Sequence, residues 1–111
     1  MPATIVSRVQ ALRHKLDLTQ KVMARVLGVT ERTVIDLERG RALSEGIARR
    51  VTELDRLQRA LGKVVRTKAI GTWLTTPNTA FDSDAPADLI ASGKVDLLWK
   101  MIFELRSGVS S

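Results

Sequence analysis

The sequence predicts an all-α protein of 111 residues, a basic helical head followed by a small helical tail. Three observations predict it. Apolar residues recur at helical spacing along most of the chain, no stretch sustains the alternation of a strand, and Gly, Pro and hydroxyl residues stand where helices must start or stop. Ile5, Val9, Leu12 and Leu16 fall at i, i+4, i+7 and i+11 on one face, with Arg8, Arg13 and Lys15 off it. Two short helices follow over 19–27 and 31–39, separated by Gly28-Val29-Thr30, with Thr30 suited to an N-cap and Gly40 to a left-handed C-terminal residue. Ile47, Val51, Leu54, Leu57 and Leu61 define a longer amphipathic helix, and 63–74 reads as another that must stop before Pro77. Residues 75–84, rich in Thr, Pro, Asn, Ser and Asp, read as a loop. Pro86 starts a helix over 86–92 that Gly93 ends, and a last helix runs over 94–106 until Gly108.

Composition narrows the function classes. The chain has no Cys and one His, so disulfides, thiolate metal sites and a Cys nucleophile are excluded, and a His-based metal site lacks partners. No apolar run approaches the ~18 residues of a membrane span. The start Met1-Pro2-Ala3-Thr4 lacks a signal-peptide pattern, so no membrane partner and a cytoplasmic location are expected. Charge is uneven: residues 1–70 hold 15 basic and 7 acidic side chains, and 71–111 hold 3 basic and 5 acidic. Such a basic half suits a phosphate backbone, the alternative being a solvated basic surface.

Residues 20–39 carry the most information. Two helices crossing closely at a steep angle need a small residue at the contact, a turn residue tolerant of positive φ, and apolar side chains facing inward on both sides. Ala24, Gly28 and the set Met23, Leu27, Val29, Val34 and Leu37 meet these demands. The stretch from Thr19 to Val34, continued by Leu37-Glu38-Arg39-Gly40, resembles the Xre and phage-repressor type of helix-turn-helix domain over about residues 5–61. The resemblance implies that the helix beginning at Glu31 enters the major groove of operator DNA. Glu31, Arg32 and Asp36 would then face bases with Thr33 beside them, Thr19 and Gln20 would meet phosphate, and Arg39 and Arg41 would follow on the same edge. A bidentate contact from Arg32 to guanine would contribute about 1 to 3 kcal/mol of discrimination. Glu31 and Asp36 bring negative charge into a groove walled by phosphates. Glu31 has a second reading, as an acid favoured by the helix dipole, and Ile35 is either partly buried or a thymine-methyl contact.

The tail has a pattern of its own. Trp73-Leu74-Thr75-Thr76-Pro77-Asn78 and Phe81, then Pro86-Ala87-Asp88-Leu89, Ser92-Gly93 and the apolar series Val95, Leu98, Ile102 and Leu105 ending in Gly108, resemble the C-terminal toxin-binding domain of the Xre/MbcA/ParS antitoxins. Together the two resemblances divide the chain into a head, 1–62, and a toxin-binding tail, 63–111. They imply a RES-domain toxin that consumes NAD, whose NAD pocket the tail covers. Glu104, Arg106, Gly108, Val109 and the terminal Ser110 and Ser111 would form the plugging segment, and the loop with Asn78 and Phe81 a second edge. Arg106 either pairs with an acid of the toxin or favours its own helix C-terminus. From the residues themselves, Trp73 reads as core. Trp99 and Phe103, an i, i+4 aromatic pair off the inward stripe of Val95, Leu98, Ile102 and Leu105, are either interface anchors or core and homodimer packing.

No catalytic constellation emerges. His14 stands between Arg13 and Lys15 and reads as a surface residue, while Asp82, Ser83 and Asp84 read as helix caps ahead of Pro86 rather than a metal site. The expectation is therefore a non-enzymatic antitoxin without cofactor or metal, binding a RES toxin and operator DNA as a homodimer or higher toxin-antitoxin complex. The alternative is a stand-alone repressor whose tail merely dimerises it.

Overall fold

The computed structural model describes residues 7–108, with the side chain of residue 67 left aside. Among these residues there are seven α-helices and no strand: α1 Arg8–Leu16, α2 Gln20–Leu27, α3 Glu31–Glu38, α4 Glu45–Leu61, α5 Ile70–Thr75, α6 Pro86–Ala91 and α7 Val95–Arg106. Single 3-10 turns occupy Thr67–Ala69 and Thr79–Phe81. The predicted all-α class is therefore observed. Ile5 and residues 109–111 lie outside the described span.

Hydroxyl side chains start each of the first four helices. Ser7, Thr19, Thr30 and Ser44 accept hydrogen bonds of 3.0 to 3.2 Å from the N–H groups of Gln10, Val22, Thr33 and Ile47, satisfying donors that the helices cannot pair internally. Gly28 ends α2 with φ 72°, the left-handed geometry that lets the chain turn directly into α3. The inward residues are those that the spacing selects: Val9, Leu12 and Leu16 on α1, Met23, Ala24 and Leu27 on α2, Val34 and Leu37 on α3, and Val51, Leu54, Leu57 and Leu61 on α4 are buried.

Head and tail share one core. The apolar cluster runs unbroken from Val9 through Leu61 to Ile70, Leu74, Phe81, Ala87, Leu89, Leu98 and Ile102. Helix α6 packs on α2, where Arg25 and Asp88 form an ion pair across the junction. Gly71 in α5 lies against the backbone of the α1–α2 turn: a Cβ there would sit 2.5 Å from the Leu16 carbonyl oxygen and 2.8 Å from that of Asp17.

The structure corrects three local expectations and adds detail to a fourth, the loop. Residues 63–74 are not one helix: the N–H groups of Val64 and Val65 both donate to the Leu61 carbonyl, at 3.0 and 2.7 Å, which tightens and ends α4 before the short α5 begins. The loop over 75–84 is folded on itself, with Asn78 N–H donating to the Asp84 carbonyl at 3.1 Å and Ser83 N–H to the Asn78 carbonyl at 3.0 Å. Helix α6 is capped by neither Asp82 nor Asp84; Asp88 reaches back to accept the Ala85 N–H at 3.2 Å. Leu105 does not continue the buried stripe of α7: it is 55% exposed, because Ile102 is the last residue of that helix to reach the core.

Candidate nucleic-acid and partner interfaces

Helix α3 is held by its inner side and presents its outer side. Val34 and Leu37 fix the inner side in the core, and a polar clamp fixes its end. The Arg13 guanidinium donates from Nε to Glu38 Oε2 at 2.6 Å and from Nη2 to Oε1 at 3.0 Å, and from Nη1 to the Leu18 carbonyl at 3.1 Å. Gln20 Nε2 donates to Glu38 Oε1 at 3.2 Å. Each guanidinium nitrogen and both carboxylate oxygens of this largely buried ion pair thus have a partner, as such a pair requires to be stable. The hydrogen bond from Arg13, followed by that from Gln20 and the charges of Arg13 and His14, holds the Glu38 carboxyl below the ordinary carboxylate range against the opposing effect of burial. The same hydrogen bond raises Arg13. Sequence reading missed this clamp. Its signal was present, since Arg13 and Glu38 each border the apolar face of their helix, where an unpaired charge would be costly.

The outer side of α3 carries the residues expected to meet DNA. Glu31 and Arg32 are exposed and Thr33, Ile35 and Asp36 half-buried, with exposed Arg39 and Arg41 just beyond the helix. Thr33 hydrogen-bonds Thr30 through the hydroxyls at 2.9 Å, and Arg32 Nε lies 3.3 Å from Asp36 Oδ1. Thr19 and Gln20 stand at the start of α2, but their side chains serve the fold: Thr19 caps the helix and Gln20 binds Glu38.

The tail presents the opposite character. Leu98 and Ile102 form the buried seam of α7, and to one side of it lie Trp99, 36% exposed, and Phe103, 70% exposed, bordering a shallow depression with Arg106 and Ser107. On the other side, Leu97, Met101 and Glu104 face the folded loop across a groove closed by Asp82, Asp84 and Lys94. This groove was not anticipated, since neither Leu97 nor Met101 stands out in the sequence. Phe81 is 8% exposed and belongs to the core, while Asn78 is half-buried and its carboxamide accepts the Ala80 N–H at 2.9 Å. Glu104 is half-buried, Arg106 and Gly108 are exposed at the end of α7, and Val109 lies outside the described residues. Trp73 is half-buried against the core, and His14 is exposed. Among the described residues no three metal-ligating side chains converge, and no helix is long and apolar enough to cross a membrane.

Comparison with known proteins agrees with this geometry. The helix-turn-helix family profile matches residues 9–57. Among solved structures, the chain is similar to one in the crystal structure of the M. tuberculosis MbcT–MbcA toxin-antitoxin complex, with a TM-score of 0.77 and 24% identity, covering 95% of this chain and 96% of that one. No curated protein matches the sequence. Residues 9–57 thus match the helix-turn-helix family, and over nearly its whole length the chain has the fold of a chain from a toxin-antitoxin complex.

Proposed function

We propose that this protein is the antitoxin of a type II toxin-antitoxin pair and not an enzyme. Its tail neutralises a RES-domain, NAD-consuming toxin by covering the NAD pocket, and its head binds operator DNA so that the complex represses its own operon. The observation that carries this reading is the shared architecture: head and tail together match a chain of a toxin-antitoxin complex across 95% of the residues. The resemblance of the tail to the Xre/MbcA/ParS antitoxins supports a RES partner.

Each half contributes what its role needs. A helix with a polar, arginine-bearing outer side, rigidly backed by the Arg13–Glu38 clamp, suits a groove lined by phosphates and base edges. Exposed Trp99 and Phe103 at the far end of the chain suit a protein partner, since buried aromatics dominate interface energetics. Inhibition is steric: α7 and the residues following it occlude a pocket, with Glu104, Arg106 and Gly108 at the edge. A helix-turn-helix head reads two half-sites about one DNA turn apart, so the DNA-bound form is a homodimer or a larger assembly.

Co-expression tests the reading. With the product of the adjacent gene, the protein is expected to co-purify and to relieve that product's growth arrest and NAD loss. If it does neither, while still binding its own promoter as a dimer, the stand-alone repressor is the correct description. Promoter binding is expected to weaken steeply with salt, as phosphate contacts release counterions.

A further inference from the structure

The carboxylate of Asp36 is at first sight misplaced, a negative charge on the outer side of a helix meant for DNA. Its geometry gives it a task. Asp36 lies one helical turn after Arg32, and the nearest approach of the two side chains is Arg32 Nε to Asp36 Oδ1, 3.3 Å. The Arg32 side chain is 72% exposed and Asp36 only 33%, so the carboxylate is the rooted partner and the guanidinium the one reaching outward. A guanidinium has five N–H donors in a rigid plane. With the Asp36 carboxylate beside the Nε edge as an ion pair, Nη1 and Nη2 remain as a parallel pair of donors, and guanine is the base whose major-groove edge offers two acceptors, O6 and N7.

We propose that Asp36 is a positioning residue for DNA recognition: it holds Arg32 by Nε so that the two Nη groups read one guanine. The inference rests on the head binding operator DNA. It also accounts for the charge, because a carboxylate paired with Arg32 repels phosphate less than a free one, and a freely rotating arginine would favour phosphates of any sequence over one base.

The signs of the expected effects separate this role from a merely unfavourable charge. The test is a binding titration of the full chain with its own promoter duplex and with an unrelated duplex of equal length, with melting temperatures confirming that each variant is folded. Asp36→Ala is expected to lower the preference for the promoter about tenfold, the loss of a bidentate contact's worth of discrimination, while affinity for the unrelated duplex holds or rises and the salt slope steepens by up to about 1 as the freed arginine turns to phosphate. Asp36→Asn, which keeps the acceptor oxygen, is expected to retain part of the preference. In an Arg32→Ala background, Asp36→Ala is expected to change the preference no further. Replacing the footprinted guanines by 7-deazaguanine, which lacks the N7 acceptor, should weaken the wild type and leave Asp36→Ala nearly unaffected. The proposal is overturned if Asp36→Ala strengthens both duplexes equally, or if its full effect persists without Arg32. A wild type that does not prefer its own promoter overturns the DNA reading itself, and this inference with it.

Discussion

Helices α3 and α7 are built on the same plan and finished differently. Each buries a seam of two residues, Val34 and Leu37 in α3 and Leu98 and Ile102 in α7. Outside the seam α3 shows Glu31, Arg32 and Asp36, groups that water solvates well, whereas α7 shows Leu97, Trp99, Phe103 and Leu105, the large apolar side chains left exposed among the described residues. An exposed apolar patch is costly unless something covers it. The difference fits the proposed division of labour: the outer side of α3 stands well in water until a polar surface arrives, while that of α7 gains by being covered by a partner.

That contrast can be broken in order of effect. The largest is expected from Phe103→Glu, which should weaken toxin capture about 1,000-fold, in the range of an interface anchor. The melting temperature of the free protein should hardly move, because the ring is outside the core. If gel filtration instead shows a lost dimer with toxin capture intact, the aromatic side of α7 belongs to a second copy of the chain. Next comes the clamp behind α3. Glu38→Ala strands the Arg13 charge and is expected to cost about 3 kcal/mol in urea unfolding.

The same carboxyl sets an acid limb. Its folded-state pKa is lowered, so its contribution is present above the unfolded value and is lost as pH falls through the folded one. Wild-type stability should therefore decline below about pH 4, and Glu38→Ala should show a shallower decline. Gly71→Ala is expected to cost about 1 to 3 kcal/mol by forcing a methyl against the Leu16 and Asp17 carbonyls, loosening the tail from the head. Smallest is Arg25→Ala: the Arg25–Asp88 pair is largely in solvent, so the loss should stay under about 1 kcal/mol. A larger loss would mean that charge, rather than the α2–α6 apolar contact, joins the halves.

Much of the head was legible in advance because its signals are local. Ala24, Gly28, Val34 and Leu37 mark the helix-turn-helix by spacing alone, and Thr30 marks its own N-cap. The outer polar residues of α3 follow from the same periodicity. The tail was less legible. Its Pro86 start and Gly93 end were readable, but the fate of Phe81 and Leu105 was not, since an apolar residue near a chain end looks the same whether it is folded inward or left outside. The break between α4 and α5 was also missed, because Val64 and Val65 continue an apolar helical pattern while their N–H groups close a tighter turn.

By itself the sequence determined the class of the protein, the number and order of its main helices except at the α4–α5 break, and the inner face of each, because these depend on residues three or four apart. The tertiary structure alone decided that Arg13 meets Glu38 across 25 positions, that Gly71 fits against the α1–α2 turn, and that α7 outruns the core and leaves its aromatics in water. Those facts depend on where elements come to rest against one another, and that placement is fixed by the packing of the whole core rather than by any local pattern.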